Sequence, residues 1–169
     1  MNKNNEKKQK RIVVKFGGSS LADHEKILRA VTAVANEAKK GTQITVIVSA
    51  MGKTTDTLFN AAKNSSSGRI HKRDLDEILA MGERTSIRIM TVALKAQGVN
   101  ARYVDPHDPE WPIVTDELFS DANPLLDVCY DRAKQHVLPF VESGVIPVIA
   151  GIVSRSQNAQ VTTLGCGGS

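Results

Sequence analysis

Two hydrophobic rhythms alternate along this chain. The runs Ile12–Phe16, Ile44–Val48 and Val145–Ile149 are apolar or β-branched at nearly every position, and Ala101–Val104 is a shorter run of the same kind. All four read as strands, and Ile44–Val48 reads as one buried on both faces, which implies a parallel sheet covered by helices. Between them the spacing changes to three and four. Ile27, Leu28, Val31, Val34, Ala35 and Ala38 predict a helix over 22–40, with Asp23 as its cap and Lys39-Lys40-Gly41 closing it. A short helix is expected over 56–63. Leu75, Ile78, Leu79, Ile87, Ile89, Met90 and Leu94 predict another over 74–97, and Gly82-Glu83-Arg84 interrupts it. The last, over 121–142, carries Leu125, Leu126, Val128, Cys129, Ala133, Val137, Leu138 and Val141 in phase. Asp121 or Asn123 would cap it, Pro124 suits its first turn, and Pro139 is expected to kink or end it. Strands alternating with helices place the chain in the α/β class, as one domain.

The chemistry gathers where these strands end. Lys15-Phe16-Gly17-Gly18-Ser19-Ser20 carries the first strand into a turn whose backbone N–H groups can receive an anion, with Lys15 as a mobile positive charge at its mouth. A phosphoryl group is the natural ligand, although a plain strand–loop–helix joint fits the same residues. The second strand runs into Ser49-Ala50-Met51-Gly52-Lys53-Thr54-Thr55-Asp56. Gly52-Lys53-Thr54 is no Walker A loop, because that pattern needs a glycine where Ile47 stands. Thr54 or Thr55 would serve as a helix cap, which a ligand contact does not exclude. Glycine inside a helix costs about 1 kcal/mol, so Gly82 implies a helix break or a close approach to a ligand. Glu83 beside it could bind an amine, or lie exposed and paired with Arg84. A third glycine turn, Thr162-Thr163-Leu164-Gly165-Cys166-Gly167-Gly168-Ser169, ends the sequence. His107 stands among acids in a loop broken by Pro106, Pro109 and Pro112, and without ligand spacing it reads as a solvated loop residue rather than a metal ligand.

Charge and composition narrow the classes. The net charge of +4 over 169 residues lies wholly in residues 1–11, where five basic side chains face one acid. Residues 1–10 therefore read as a disordered basic tail, and the neutral remainder argues against nucleic acid as a partner. The first eleven residues lack the apolar stretch of a signal peptide, and no run approaches the ~18 apolar residues of a membrane span. Cys129 and Cys166 make neither a metal pair nor a disulfide framework, which fits a reduced, cytoplasmic setting. Cys129 is expected to face the core.

Taken together, the Lys15–Ser20, Val48–Asp56, Gly82-Glu83 and Thr162–Ser169 motifs resemble those of the aspartate kinases in the amino-acid kinase family, in the same order. The resemblance spans residues 11–169. It implies an αβα sandwich with a largely parallel sheet, here in truncated form, and transfer of the ATP γ-phosphoryl to the β-carboxylate of L-aspartate on the route to lysine, threonine and methionine. ATP and Mg2+ are the implied cofactors. Lys15 would be catalytic, stabilising the transferring phosphoryl, with Gly17, Gly18 and Ser19 donating to the phosphates. Ser49, Thr55 and Glu83 would hold aspartate, with Cys166, Gly167, Gly168 and Ser169 on the substrate side. Two departures stand out: Cys166 takes the place of the family arginine that pairs with a substrate carboxylate, and the family's next acid would fall one residue beyond Ser169. The resemblance thus implies the amino-terminal, substrate-side part of the kinase domain, with the nucleotide-binding half and ACT modules absent. Such a chain is expected to be inactive alone and to associate with itself as a homo-oligomer or with a missing half. Glutamate, acetylglutamate and uridylate kinases are the alternatives within the family, and a non-catalytic partner of a full-length kinase is the alternative outside catalysis.

Overall fold

The computed structural model describes residues 9–165. Seven strands and five helices are found among them. In chain order these are β1 (Arg11–Phe16), α1 (His24–Ala38), β2 (Gln43–Val48), α2 (Thr54–Ser65), α3 (Lys72–Ala96), β3 (Ala101–Val104), β4 (Val114–Thr115), α4 (Leu126–Arg132), α5 (Leu138–Glu142), β5 (Ile146–Ala150), β6 (Val153–Ser156) and β7 (Val161–Thr163). A first sheet runs β1-β2-β5-β3 with every pairing parallel. The αβα expectation is met: α3 packs against β2, β3, β5 and α1 on one face, and α5 packs against β2 and β5 on the other. Val31, Val34, Ile44, Val46, Ile87, Met90, Leu94 and Val148 form the dry centre of this core. All four strands point the same way, so the loops after β1, β2, β5 and β3 emerge at one edge.

A second sheet was not anticipated. β4 pairs parallel with β6, which pairs antiparallel with β7. Its interior is hydroxylic: Thr115 Oγ1 lies 2.7 Å from Thr162 Oγ1, which lies 2.9 Å from Ser154 Oγ, and all three side chains are buried. Either hydroxyl of each pair can donate, so all three are partnered and burial costs little.

Several local expectations change. Asp23 does cap α1, accepting from the Lys26 amide at 2.9 Å, and Gly41 follows the helix at φ 83°. α3, however, runs unbroken through Gly82. A Cβ there would stand 3.1 Å from Ala50 Cβ and 3.3 Å from Thr54 Cγ2, so glycine serves tight packing against the end of β2 and the start of α2. Neither Thr54 nor Thr55 caps α2. Lys53 holds that position without a side-chain bond, and Thr54 Oγ1 donates to the Met51 carbonyl at 2.6 Å. The helix expected from residue 121 begins at Leu126, because the Ala122 and Leu125 amides are drawn to the carbonyls of Thr163 and Val114. Pro139 does not end the helical run: the wider π turn Ala133–Val137 precedes it, Pro139 stands in the first turn of α5, where a missing N–H is tolerated, and α5 continues to Glu142. Cys129 is half buried, its Sγ 3.2 Å from both the amide and the carbonyl of Val114. Gln9 and Lys10, counted with the basic tail, bond to Gly41 and Glu37; the rest of the tail, residues 1–8, lies outside the described residues. Among the described residues no helix is long and apolar enough to cross a membrane.

Candidate active site

Three of the sequence motifs meet at the carboxyl edge of the parallel sheet. The Gly52 amide donates to the Gly18 carbonyl at 3.0 Å, which ties the loop after β2 to the loop after β1. The two backbones touch: a Cβ at Gly18 would lie 2.7 Å from the Ala50 carbonyl oxygen. Gly18→Ala is therefore expected to force the loops apart and to cost about 1–3 kcal/mol. Gly17→Ala is the control, since nothing lies within 4 Å of that position. Its change should stay within about 0.5 kcal/mol, and equal losses in the two urea titrations would contradict this packing.

Around that junction, the Gly151 amide donates to Val48 at 3.0 Å, bringing the loop after β5 alongside. The Ser49 hydroxyl is half buried against Gly151. Lys15 is exposed one residue before β1 ends, Ser19 is exposed in the following turn, and Thr55 is half buried in the first turn of α2. Cys166, Gly167, Gly168 and Ser169 lie outside the described residues. The Leu164 amide donates to Ile152 at 2.9 Å, so the chain approaches them beside this same loop.

Glu83 lies beneath the junction, and it is neither exposed nor paired with Arg84. Its side chain is 1% exposed. Oε2 accepts from the amides of Ile152 (2.8 Å) and Val153 (3.2 Å). Burial pushes this carboxyl above its ordinary value, and the amides of Ile152, Val153, Gly151 and Ala50 pull it partly back. Arg84 turns instead to Asp105 at the end of β3, with Nε 2.9 Å from Oδ2, and Arg88 Nη2 reaches the same oxygen at 2.7 Å. His107 Nδ1 sits 3.2 Å from the other oxygen. Burial alone would raise the Asp105 carboxyl, but hydrogen bonds from Arg88, the His107 amide and Arg84 hold it down at about 2.

Sequence reasoning missed Asp76, whose buried carboxylate bonds to Ser120 and Thr163. A signal did exist. Asp76, Ala80, Glu83, Ile87, Met90 and Leu94 recur at spacings of three and four along the buried stripe of α3, and two acids in phase with such a stripe must be satisfied inside.

The model of the amino acid kinase family matches residues 10–169. The chain belongs to the amino acid kinase family. Within it, the aspartokinase of Geobacillus stearothermophilus is 35% identical over 94% of this chain and 37% of its own length. This chain spans little more than a third of the curated relatives it matches. Among solved structures, aspartate kinase from Synechocystis superposes with a TM-score of 0.72 at 31% identity, covering 93% of this chain and 24% of that one. E. coli aspartokinase III, solved with aspartate and ADP, superposes at 0.79 over 95% of this chain and 44% of its own; its 20% identity bears on the fold alone.

Proposed function

We propose that this family member carries the acceptor-binding site of an aspartate kinase, which transfers the γ-phosphoryl of ATP to the β-carboxylate of L-aspartate in a cytoplasmic, reducing setting. The observation that carries this reading is the junction of the loops after β1, β2 and β5, with Lys15 at its mouth and a buried carboxylate beneath it. Phosphoryl transfer needs positioning and charge neutralisation more than covalent help. Lys15 faces the transferring phosphoryl, and Gly17, Gly18 and Ser19 offer donors to the phosphates. Ser49 and Thr55 hold the acceptor, whose ammonium is drawn toward Glu83. In this reading Mg2+ arrives bound to the nucleotide phosphates.

The test is binding by the 169-residue chain. L-aspartate titrated at millimolar concentrations should shift the amide resonances of Ser49 and Thr55 saturably. L-glutamate, N-acetyl-L-glutamate or UMP saturating at lower concentration would replace aspartate as the acceptor, and no response to any of them would end the reading. Cys166 cannot supply the bidentate donor that a guanidinium offers a carboxylate. Restoring a hydrogen bond to a charged group is worth about 1.5–3 kcal/mol, so Cys166→Arg should tighten aspartate binding about 10- to 150-fold. Unchanged affinity would remove that position from the site.

A further inference from the structure

The Asp76 side chain is fully buried, near the start of α3, and it makes no ion pair among the described residues. Both of its oxygens are nonetheless occupied. Oδ2 accepts from the amides of Ser120 (2.8 Å) and Thr163 (3.1 Å), and Oδ1 accepts from the hydroxyls of the same two residues at 2.9 and 2.7 Å. Ser120 sits in a turn at φ 67°, a conformation that disfavours side chains and needs outside support. Thr163 is the last residue of β7. The two segments also hold each other: the Ala122 amide donates to the Thr163 carbonyl at 3.0 Å, and a Cβ at Gly165 would collide with the Asp121 carboxylate.

Asp76 and Glu83 are two helical turns apart on the same face of α3. Val153, whose amide Glu83 accepts, is the register partner of Thr163, whose amide Asp76 accepts. One helix thus grips both strands of the β6–β7 hairpin at a single rung, and that hairpin delivers the chain to residues 166–169. A carboxylate accepting four donors is a stiff support, because every bond is charge-assisted.

We propose that Asp76 is a positioning residue for the acceptor site: through Ser120 and Thr163 it fixes the exit of β7 beside the loops that Glu83 holds. The proposal rests on the aspartate kinase reading for the identity of the acceptor, but not for the clamp itself.

Asp76→Asn tests it, because the amide is isosteric but places two hydrogens among four donors. At a temperature where the variant is fully folded, amide exchange should accelerate at least tenfold at Ser120, Thr163 and Gly165 and stay unchanged at Val46 and Val148 in the first sheet. L-aspartate affinity should fall at least tenfold. Should Asp76→Asn fail to fold, Ser120→Ala and Thr163→Val each remove one hydroxyl donor and should give smaller losses of the same kind, while Thr163→Ser retains wild-type affinity. Faster exchange at these three amides with aspartate affinity within twofold of wild type would overturn the positioning role. So would acceleration spread evenly through the first sheet. A wild-type chain that binds no aspartate would defeat the kinase reading instead, and the clamp would then stand or fall on the exchange pattern.

Discussion

Asp105→Ala is expected to lower stability by about 3 kcal/mol, the low end for breaking a buried ion pair, because the arginines left behind can reach water. Asp105 is 5% exposed, whereas Arg84 and Arg88 are 24% and 40% exposed. For a chain of this size the melting temperature should drop by roughly 6–12 °C. The pH dependence gives an independent reading of the same contact. Asp105 has a folded pKa of about 2 against an ordinary value of 3.8, so the folded state favours the ionised form. Its contribution is fully present above the ordinary value and is lost as pH falls toward 2, about 2 kcal/mol in all. Wild type and variant should therefore converge by that amount in acid. A constant gap between their denaturation curves from pH 6 to pH 2.5 would place the stabilisation elsewhere.

Glu83→Ala is expected to cost about 2–5 kcal/mol, because the Ile152 and Val153 amides lose their acceptor inside the protein and each unsatisfied group costs about 1–3 kcal/mol. Glu83→Gln keeps one carbonyl oxygen for those amides and should cost about 1 kcal/mol. Its pH dependence runs opposite to that of Asp105. Burial raises the Glu83 carboxyl above its ordinary 4.5, so the folded state favours the protonated form. Wild-type stability from this group is full below that ordinary value and declines as pH rises above it, whereas glutamine does not titrate. Urea titrations at pH 4 and pH 8 should show the glutamine variant gaining on wild type at the higher pH. A gap that widens instead would mean that the amides, and not burial, dominate this carboxylate.

What the sequence made legible follows from physics rather than from motif length. β2 and β5 were readable because a strand buried on both faces has to be written in β-branched and aliphatic residues. β1 and β3 are edge strands with exposed positions at Arg11, Val13, Lys15, Arg102 and Tyr103, and were readable only from their remaining apolar residues. β6 and β7 were not, because their interior is built from Ser154 and Thr162, which resemble turn residues when no partner is in view. Asp121, Asn123 and Pro124 form a sound helix-start signal, and the pairing of their neighbours with β7 and β4 overrode it. At the site, Gly18 announced a close backbone approach, whereas Gly82, read as a helix break or a ligand contact, instead makes room for Ala50 and Thr54 in an unbroken helix. Glu83 was singled out and Asp76 was not, although the same buried stripe carries both.

The order of strands in the first sheet also has a temporal consequence. Among the described residues β3 bonds only to β5, and β5 fills the place between β2 and β3. β1 and β2 can pair as soon as α1 has folded back between them, but β3 has no neighbour in that sheet until Ala150 has left the ribosome. At about 5–20 residues per second, the 46 residues from Val104 to Ala150 take roughly 2–9 s to synthesise. Through that interval the nascent chain holds a finished βαβ unit and an orphan strand, and chaperones have most reason to attend it then.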